Sequence, residues 1–171
     1  MKIAVTDACI FIDIYELQLI ERFFELELEI HTSFDVYNEL YEEQKTAFHT
    51  FKEKGKLTLH SMNEEDRTSI KQHNFPKSLS DNDKTVLHVA QKIDAIVLSS
   101  DKAVRKQAKH LCIEYHGMLW IFDKLLEATL ITHAEASKKL QELINSNVIY
   151  QNSAELVTEM NKRLKLWSKH L

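Results

Sequence analysis

The chain opens on a short apolar run, Ile3-Ala4-Val5, that stops at Thr6-Asp7. So short a run, closed by polar residues, predicts a buried strand. From Ala8 to Phe24 the period changes. Ile10, Phe11, Ile14, Leu17, Ile20 and Phe24 recur at helical spacing and predict a helix. Leu28 to His31 reads as a second strand. Asp35 is expected to cap a helix running to about Lys54, with Gly55 as its stop. Leu57 to His60 alternates like an edge strand. Asn63 or Ser61 is placed to cap a short helix that ends near Asn74, before Pro76.

Ser80 opens the clearest helix, with Val86, Leu87, Ala90 and Ile93 as its apolar stripe. Ala95 to Leu98 is apolar, short and followed by Ser-Ser-Asp, as a central strand would be. Asp101 then caps a helix to about His110, and Cys112 to Tyr115 predicts a further strand. Helices follow from Gly117 to about Thr129, from a Thr132 cap to about Asn145, and from Ser153 to His170. Strands alternating with helices predict an α/β sandwich of three layers with a mostly parallel central sheet. In such sheets ligands gather at the carboxyl ends of the strands, where the strand order reverses.

The 171 residues fit one domain. Residues 1–150 are expected to form it, and residues 151–171 an amphipathic C-terminal helix packed against it. Two glycines and one proline change the picture by exclusion. A dinucleotide fingerprint needs three closely spaced glycines and a P-loop needs two followed by Lys-Ser/Thr, so neither motif exists here. Cys9 and Cys112 lie far apart and read as reduced thiols. The first apolar run is broken by Asp7, unlike a signal peptide, and no stretch of about 18 apolar residues is present. A cytoplasmic location follows. The formal charge of −4 is a poor global footprint for a nucleic-acid binder. Carboxylates gathered to hold a cation nevertheless lower the total without preventing phosphate binding through that cation.

Several acids fall where chemistry is expected. Asp7 follows the first strand, and Asp101 follows the Ala95–Leu98 strand by two serines. Asp81 and Asp83 lie in the first turn of the Ser80 helix, and Glu39 in the first turns of the Asp35 helix. Short loops can bring these carboxylates into one crevice. Clustered carboxylates repel unless a cation neutralises them, and hard cations such as Mg²⁺ and Mn²⁺ prefer oxygen ligands. The expected chemistry is phosphodiester hydrolysis by a metal-bound water. Each acid also has a structural reading. Asp7 suits a strand end, Asp101 an N-cap, Ser80 and Asp83 a capping box, and Glu39 a solvated face beside Glu42 and Glu43.

Four stretches, taken in order, resemble the PIN-domain family of VapC-like ribonucleases. VTDACIFIDI resembles the family's opening strand and first acid. SFDVYNEL, with Glu39, is similar to its helix-borne acid. SLSDNDKTVLHVA resembles the helix in which Asp83 falls on the metal-binding acid, and IVLSSDKAVRKQAKHLCIEYHG the strand that delivers the last acid, Asp101. The likeness covers Met1 to about Gly117, and more weakly the helices to Ile144.

The resemblance implies a Mg²⁺- or Mn²⁺-dependent ribonuclease with Asp7, Glu39, Asp83 and Asp101 as catalytic and metal-holding acids, and Asp81 as an extra acid acting through water. Ser99 or Ser100 would orient Asp101 or a metal-bound water. Many members are toxins of toxin–antitoxin pairs, which implies RNA as substrate, an antitoxin protein as partner and a homodimer. Position 8 departs from the family, being Ala where a hydroxyl residue is common.

Lys102 and Arg105, close to Asp101, are placed to hold RNA phosphates. The last helix sets Lys162, Arg163, Lys165 and Lys169 opposite an apolar face, either as a packed amphipathic helix or as a basic arm. Trp120 is expected in the core. The nine histidines form no His-x-x-x-His pair and read as structural or surface residues. The alternative function is a catalytically degenerate module on the same fold that binds protein or RNA. A receiver or dehalogenase-like phosphoryl-transfer site is disfavoured because Ala-Cys, not a second acid, follows Asp7.

Overall fold

The structure, a computed structural model, describes every residue from Met1 to Leu171. Five strands form one sheet in the order β3-β2-β1-β4-β5, and every pair is parallel. The strands are β1 (Lys2–Thr6), β2 (Leu28–Ser33), β3 (Leu57–His60), β4 (Ile96–Leu98) and β5 (Tyr115–His116). The chain builds outward from β1 to β3, then crosses back to lay β4 on the other side of β1. The order therefore reverses between β1 and β4, and a crevice opens beyond their carboxyl ends.

Helices cover both faces in a three-layer α/β/α sandwich. They are α1 (Ala8–Glu16), α2 (Ile20–Glu25), α3 (Phe34–Glu39), α4 (Glu42–Glu53), α5 (Glu64–Gln72), α6 (Asp81–Ile93), α7 (Lys102–His110), α8 (Met118–Glu127), α9 (His133–Ser146), α10 (Ile149–Asn152) and α11 (Ala154–Ser168). The helix α6 packs across β1, β2 and β4, and the stripe Val86, Leu87 and Ala90 is buried there. Fully buried Phe11 and Phe48 meet edge to face at 4.8 Å, tying α1 to α4. None of the helices is long and apolar enough to cross a membrane.

Several local expectations are corrected. The stretch from Ala8 to Phe24 is two helices, because the chain reverses through Gln18 in the left-handed region (φ 56°). The next helix is capped by Ser33, whose hydroxyl accepts from Val36 N at 3.1 Å, and not by Asp35. Asp35 instead pairs with Arg67 at 2.7 Å. That helix also breaks at Leu40, which adopts extended backbone, before α4 begins. Glu39 is thus the last residue of a short α3 rather than a residue in the first turns of a long helix. The fifth strand keeps only Tyr115–His116, since Cys112 (φ 58°) spends its residues turning the chain out of α7. Trp120 is half-exposed and stacked on His116 at 4.4 Å, not enclosed in the core.

One buried acid fastens α5 to α6. Asp66 accepts from Asn63 N at 3.0 Å and Lys92 Nζ at 3.1 Å, and its Oδ1 lies 2.8 Å from His88 Nε2. The His88 hydrogen bond, then those from Asn63 and Lys92, hold its carboxyl well below the usual carboxylate range. A depressed acid stabilises the fold above its unfolded pKa and loses that contribution as pH falls. Asp66→Asn should therefore cost about 2–3 kcal/mol at pH 7, with the gap to the parent narrowing below about pH 4. Thermal unfolding of both chains across pH checks this.

Candidate functional site

Asp7 is the first residue beyond β1. Its backbone N donates to Leu98 O of β4 at 3.2 Å, continuing the ladder past the strand end. Its carboxylate caps α1, accepting from Ile10 N at 3.2 Å. The same oxygen accepts from Cys9 Sγ at 2.9 Å, and the other accepts from Ser99 Oγ. Position 8 carries no hydroxyl, and the thiol of Cys9 supplies a donor beside it. Ser99 stands one residue past β4, and its hydroxyl also accepts from Asp101 N at 3.0 Å. A single buried hydroxyl thus joins the acids that follow β1 and β4. Asp101 caps α7 through Val104 N at 3.0 Å.

The third acid arrives on α6. Ser80 and Asp83 cap each other, with Asp83 N donating to Ser80 Oγ and Ser80 N to Asp83 Oδ2, both at 3.1 Å. The N-terminal half of α6 is pinned to the end of β2 by a buried hydroxyl pair, Ser33 and Thr85, at 2.7 Å. Asn82 Nδ2 donates to Glu39 Oε2 at 3.3 Å, which brings Glu39 to the same helix start. Asp81 differs: its side chain is 97% exposed and pairs with Lys84 at 3.5 Å.

Asp7 is 3% exposed. Burial pushes its carboxyl up to about 6 against the pull of the Cys9, Ser99 and Ile10 hydrogen bonds, and the charge of Asp83 raises it further. Burial, the charge of Asp7 and the hydrogen bond to Asp7 push the Cys9 thiol well above its usual range, so Cys9 stays a protonated donor.

A carboxylate offers about four lone-pair sites. Asp7 spends two on Oδ1 and one on Oδ2; Asp83 and Asp101 each spend one. Each acid therefore keeps acceptor capacity. An all-oxygen donor set suits a hard divalent cation, and Mg²⁺ needs only a few carboxylates because it retains several waters. In this structure no three His, Cys, Asp or Glu side chains close into a ready-made cage.

Sequence comparison matches the chain to the PIN domain over residues 3–165. The chain belongs to the PIN-domain family. No curated protein matches it. Among solved structures it is similar to a PilT N-terminus domain protein, SSO1118, from the hyperthermophilic archaeon Sulfolobus solfataricus P2. That likeness has 12% identity, 73% of this chain and 94% of that one covered, and a TM-score of 0.45. It is also similar to VapBC-1 of nontypeable Haemophilus influenzae, with 18% identity, 67% and 97% covered, and a TM-score of 0.46.

Behind Asp7 and Asp101 lies a network absent from the sequence reading. Tyr150 of α10 is 1% exposed, and its hydroxyl sits 2.7 Å from Ser100 Oγ and 3.3 Å from Asp13 Oδ2. Asn147 Nδ2 donates to the other Asp13 oxygen at 3.3 Å. Ser100 N in turn donates to Cys9 Sγ at 3.4 Å. The C-terminal segment thus braces the loop between Ser99 and Asp101. Asp13, an acid inside the apolar run Ile10–Ile14, was the legible sign of it. Arg105 braces the same loop, donating to Ser99 O at 3.1 Å while lying over the Tyr115 ring. A Cβ at Gly117 would meet that guanidinium at 2.8 Å, so glycine keeps the space open.

Burial raises Asp13 to about 6, so it is ionised at pH 8 and largely protonated at pH 5. Removing the Tyr150 hydroxyl takes a donor from an ionised carboxylate only at the higher pH. Tyr150→Phe should cost about 1–3 kcal/mol at pH 8 and less at pH 5, as measured by urea unfolding at both values.

Proposed function

We propose that this PIN-domain chain is a divalent-metal-dependent ribonuclease in which Asp7, Asp83, Asp101 and Glu39 hold Mg²⁺ or Mn²⁺. One observation carries the reading. Asp7 is a buried carboxylate at the reversal point of the sheet, within range of the charge of Asp83. Keeping it ionised there is costly, and a hard cation offsets both its burial and the repulsion. When bound, the cation supplies an activated water and neutralises charge on the scissile phosphate.

The chain's own residues do the positioning. Ser99 and Cys9 fix the Asp7 carboxylate in one orientation, and Ser99 holds the Asp101 backbone beside it. The reciprocal Ser80–Asp83 cap turns Asp83 to the same edge, and Asn82 tethers Glu39. Asp81, paired with Lys84 at the surface, acts at most through water. Lys102, beside Asp101, attracts the phosphate backbone. The setting that the sequence resemblance supports is a cytoplasmic toxin, a homodimer whose cleft an antitoxin segment blocks.

The test is labelled single-stranded RNA incubated with the protein in Mn²⁺, in Mg²⁺ and in EDTA. Cleavage should need metal and fall at least about a hundredfold in Asp7→Asn and in Asp101→Asn, both still folded. Full activity in both variants would sink the reading. Ser99→Ala should lose about ten- to a hundredfold, because it frees the orientation of Asp7 without removing an acid; Mn²⁺ titration calorimetry should show a matching loss of affinity.

A further inference from the structure

The helix α7 carries Lys102, Arg105, Lys106 and Lys109, a spacing that turns all four toward one side. Lys102, Lys106 and Lys109 are exposed, and none has an acid within ion-pair reach. They form one wall of an open cleft of about 1080 Å³ that starts at Ser100 and Asp101 and runs between α7 and the α10–α11 segment. On the opposite wall Arg163 pairs with Asp123 at 2.8 Å and Glu159 at 3.1 Å, and Lys162 comes within 3.9 Å of Glu159, so that Glu155 is the acid there without a cation partner. At the α8 side of the cleft the rings of His116 and Trp120 stack at 4.4 Å and 10°. Lys124, paired with Glu127 at 2.9 Å, lies 5.4 Å from the Trp120 ring centre and adds no free cation.

We propose that this cleft is the path of single-stranded RNA to the acids, with phosphates along the α7 lysines and bases stacked on the His116–Trp120 pair. The proposal rests on the ribonuclease reading and extends it to the surface along which the strand lies. A row of unpaired cations is sequence-blind and reads only the backbone. Aromatic rings are useful to a ligand whose bases are unstacked and free to be shared, which a duplex does not offer. Asp101 lines the cleft, so a strand lying along it meets the proposed catalytic edge at that residue.

Binding is measured without catalysis, by fluorescence anisotropy of a labelled uridine dodecamer against the full chain in EDTA over a range of salt. Lys106→Glu/Lys109→Glu changes only exposed side chains. It should weaken binding at least about tenfold and flatten the slope of log K against log salt by about 1.4, two phosphate contacts' worth. Trp120→Ala should weaken it by about 5- to 150-fold. Unlabelled duplex RNA or an oligoglutamate peptide should compete poorly; either competing as well as the single strand overturns the assignment. Unchanged affinity and slope in the lysine variant overturn it too. The two readings fail separately. Metal-dependent cleavage with a KM unmoved in the lysine variant removes the cleft and keeps the nuclease. Binding lost in that variant, with no cleavage under any metal, keeps the cleft and removes the nuclease.

Discussion

The pairing of β1 with β4 is the constraint on which the carboxyl edge of this molecule depends. These strands were laid down ninety residues apart in the chain, and their parallel register delivers Asp7 and Ser99 to the same level. Ser99 then spends its hydroxyl twice, once on the Asp7 carboxylate and once on the Asp101 backbone. The arrangement has a thermodynamic consequence. At pH 5 the folded chain holds a proton on Asp7 that the unfolded chain has largely released, so the contribution of Asp7 to stability falls as pH rises from about 4 to about 6. Two pKa units correspond to about 3 kcal/mol. A core designed only for stability would place an apolar residue there. The cost is the desolvation of a carboxylate, and acids perturbed in this way are candidates for functional sites.

The C-terminal third is continuous with that site. Tyr150 reaches under the Ser99–Asp101 loop, Lys139 Nζ donates to Leu17 O at the end of α1, and Arg163 fastens α11 to α8 through Asp123. The same segment supplies one wall of the cleft beside α7. Support of the loop and shaping of the cleft are therefore tasks of one stretch of chain, and damage to α10 would be felt at both.

Much of the fold was legible because its signals are local. Short apolar runs closed by polar residues marked β1 and β4, and Ser80, Asp101, Thr132 and Ser153 marked four helix starts through their own side-chain caps. What escaped was set by tertiary contact. Apolar periodicity runs straight through Gln18, because the reversal there keeps the apolar residues on both sides buried. Trp120 carries the largest apolar side chain of its helix, yet its place is beside His116, whose position depends on where β5 ends. Among the acids, the strand-end pair was readable from the sequence because a parallel sheet leaves little choice of edge. The bracing by Tyr150 was not: Asp13 inside an apolar run marks a buried acid in need of partners, but nothing near residue 150 says that it supplies one.

Net charge is the last point on which sequence and geometry have to be weighed together. The chain has 26 acidic against 22 basic residues, a balance that by itself repels a polyanion. The distribution matters more than the sum, because an exposed charge is screened beyond about 8–10 Å in physiological salt. Along α7 a strand would meet four cations with no acid on the same helix, and at its start it would meet Asp101. The acids alone would turn a phosphate away at that point. A cation held among them would invert the sign where the chemistry is proposed to occur, and the α7 row would attract the flanking phosphates whether or not the cation were there. In the proposed function, attraction and reaction thus have separate physical origins in neighbouring parts of one cleft.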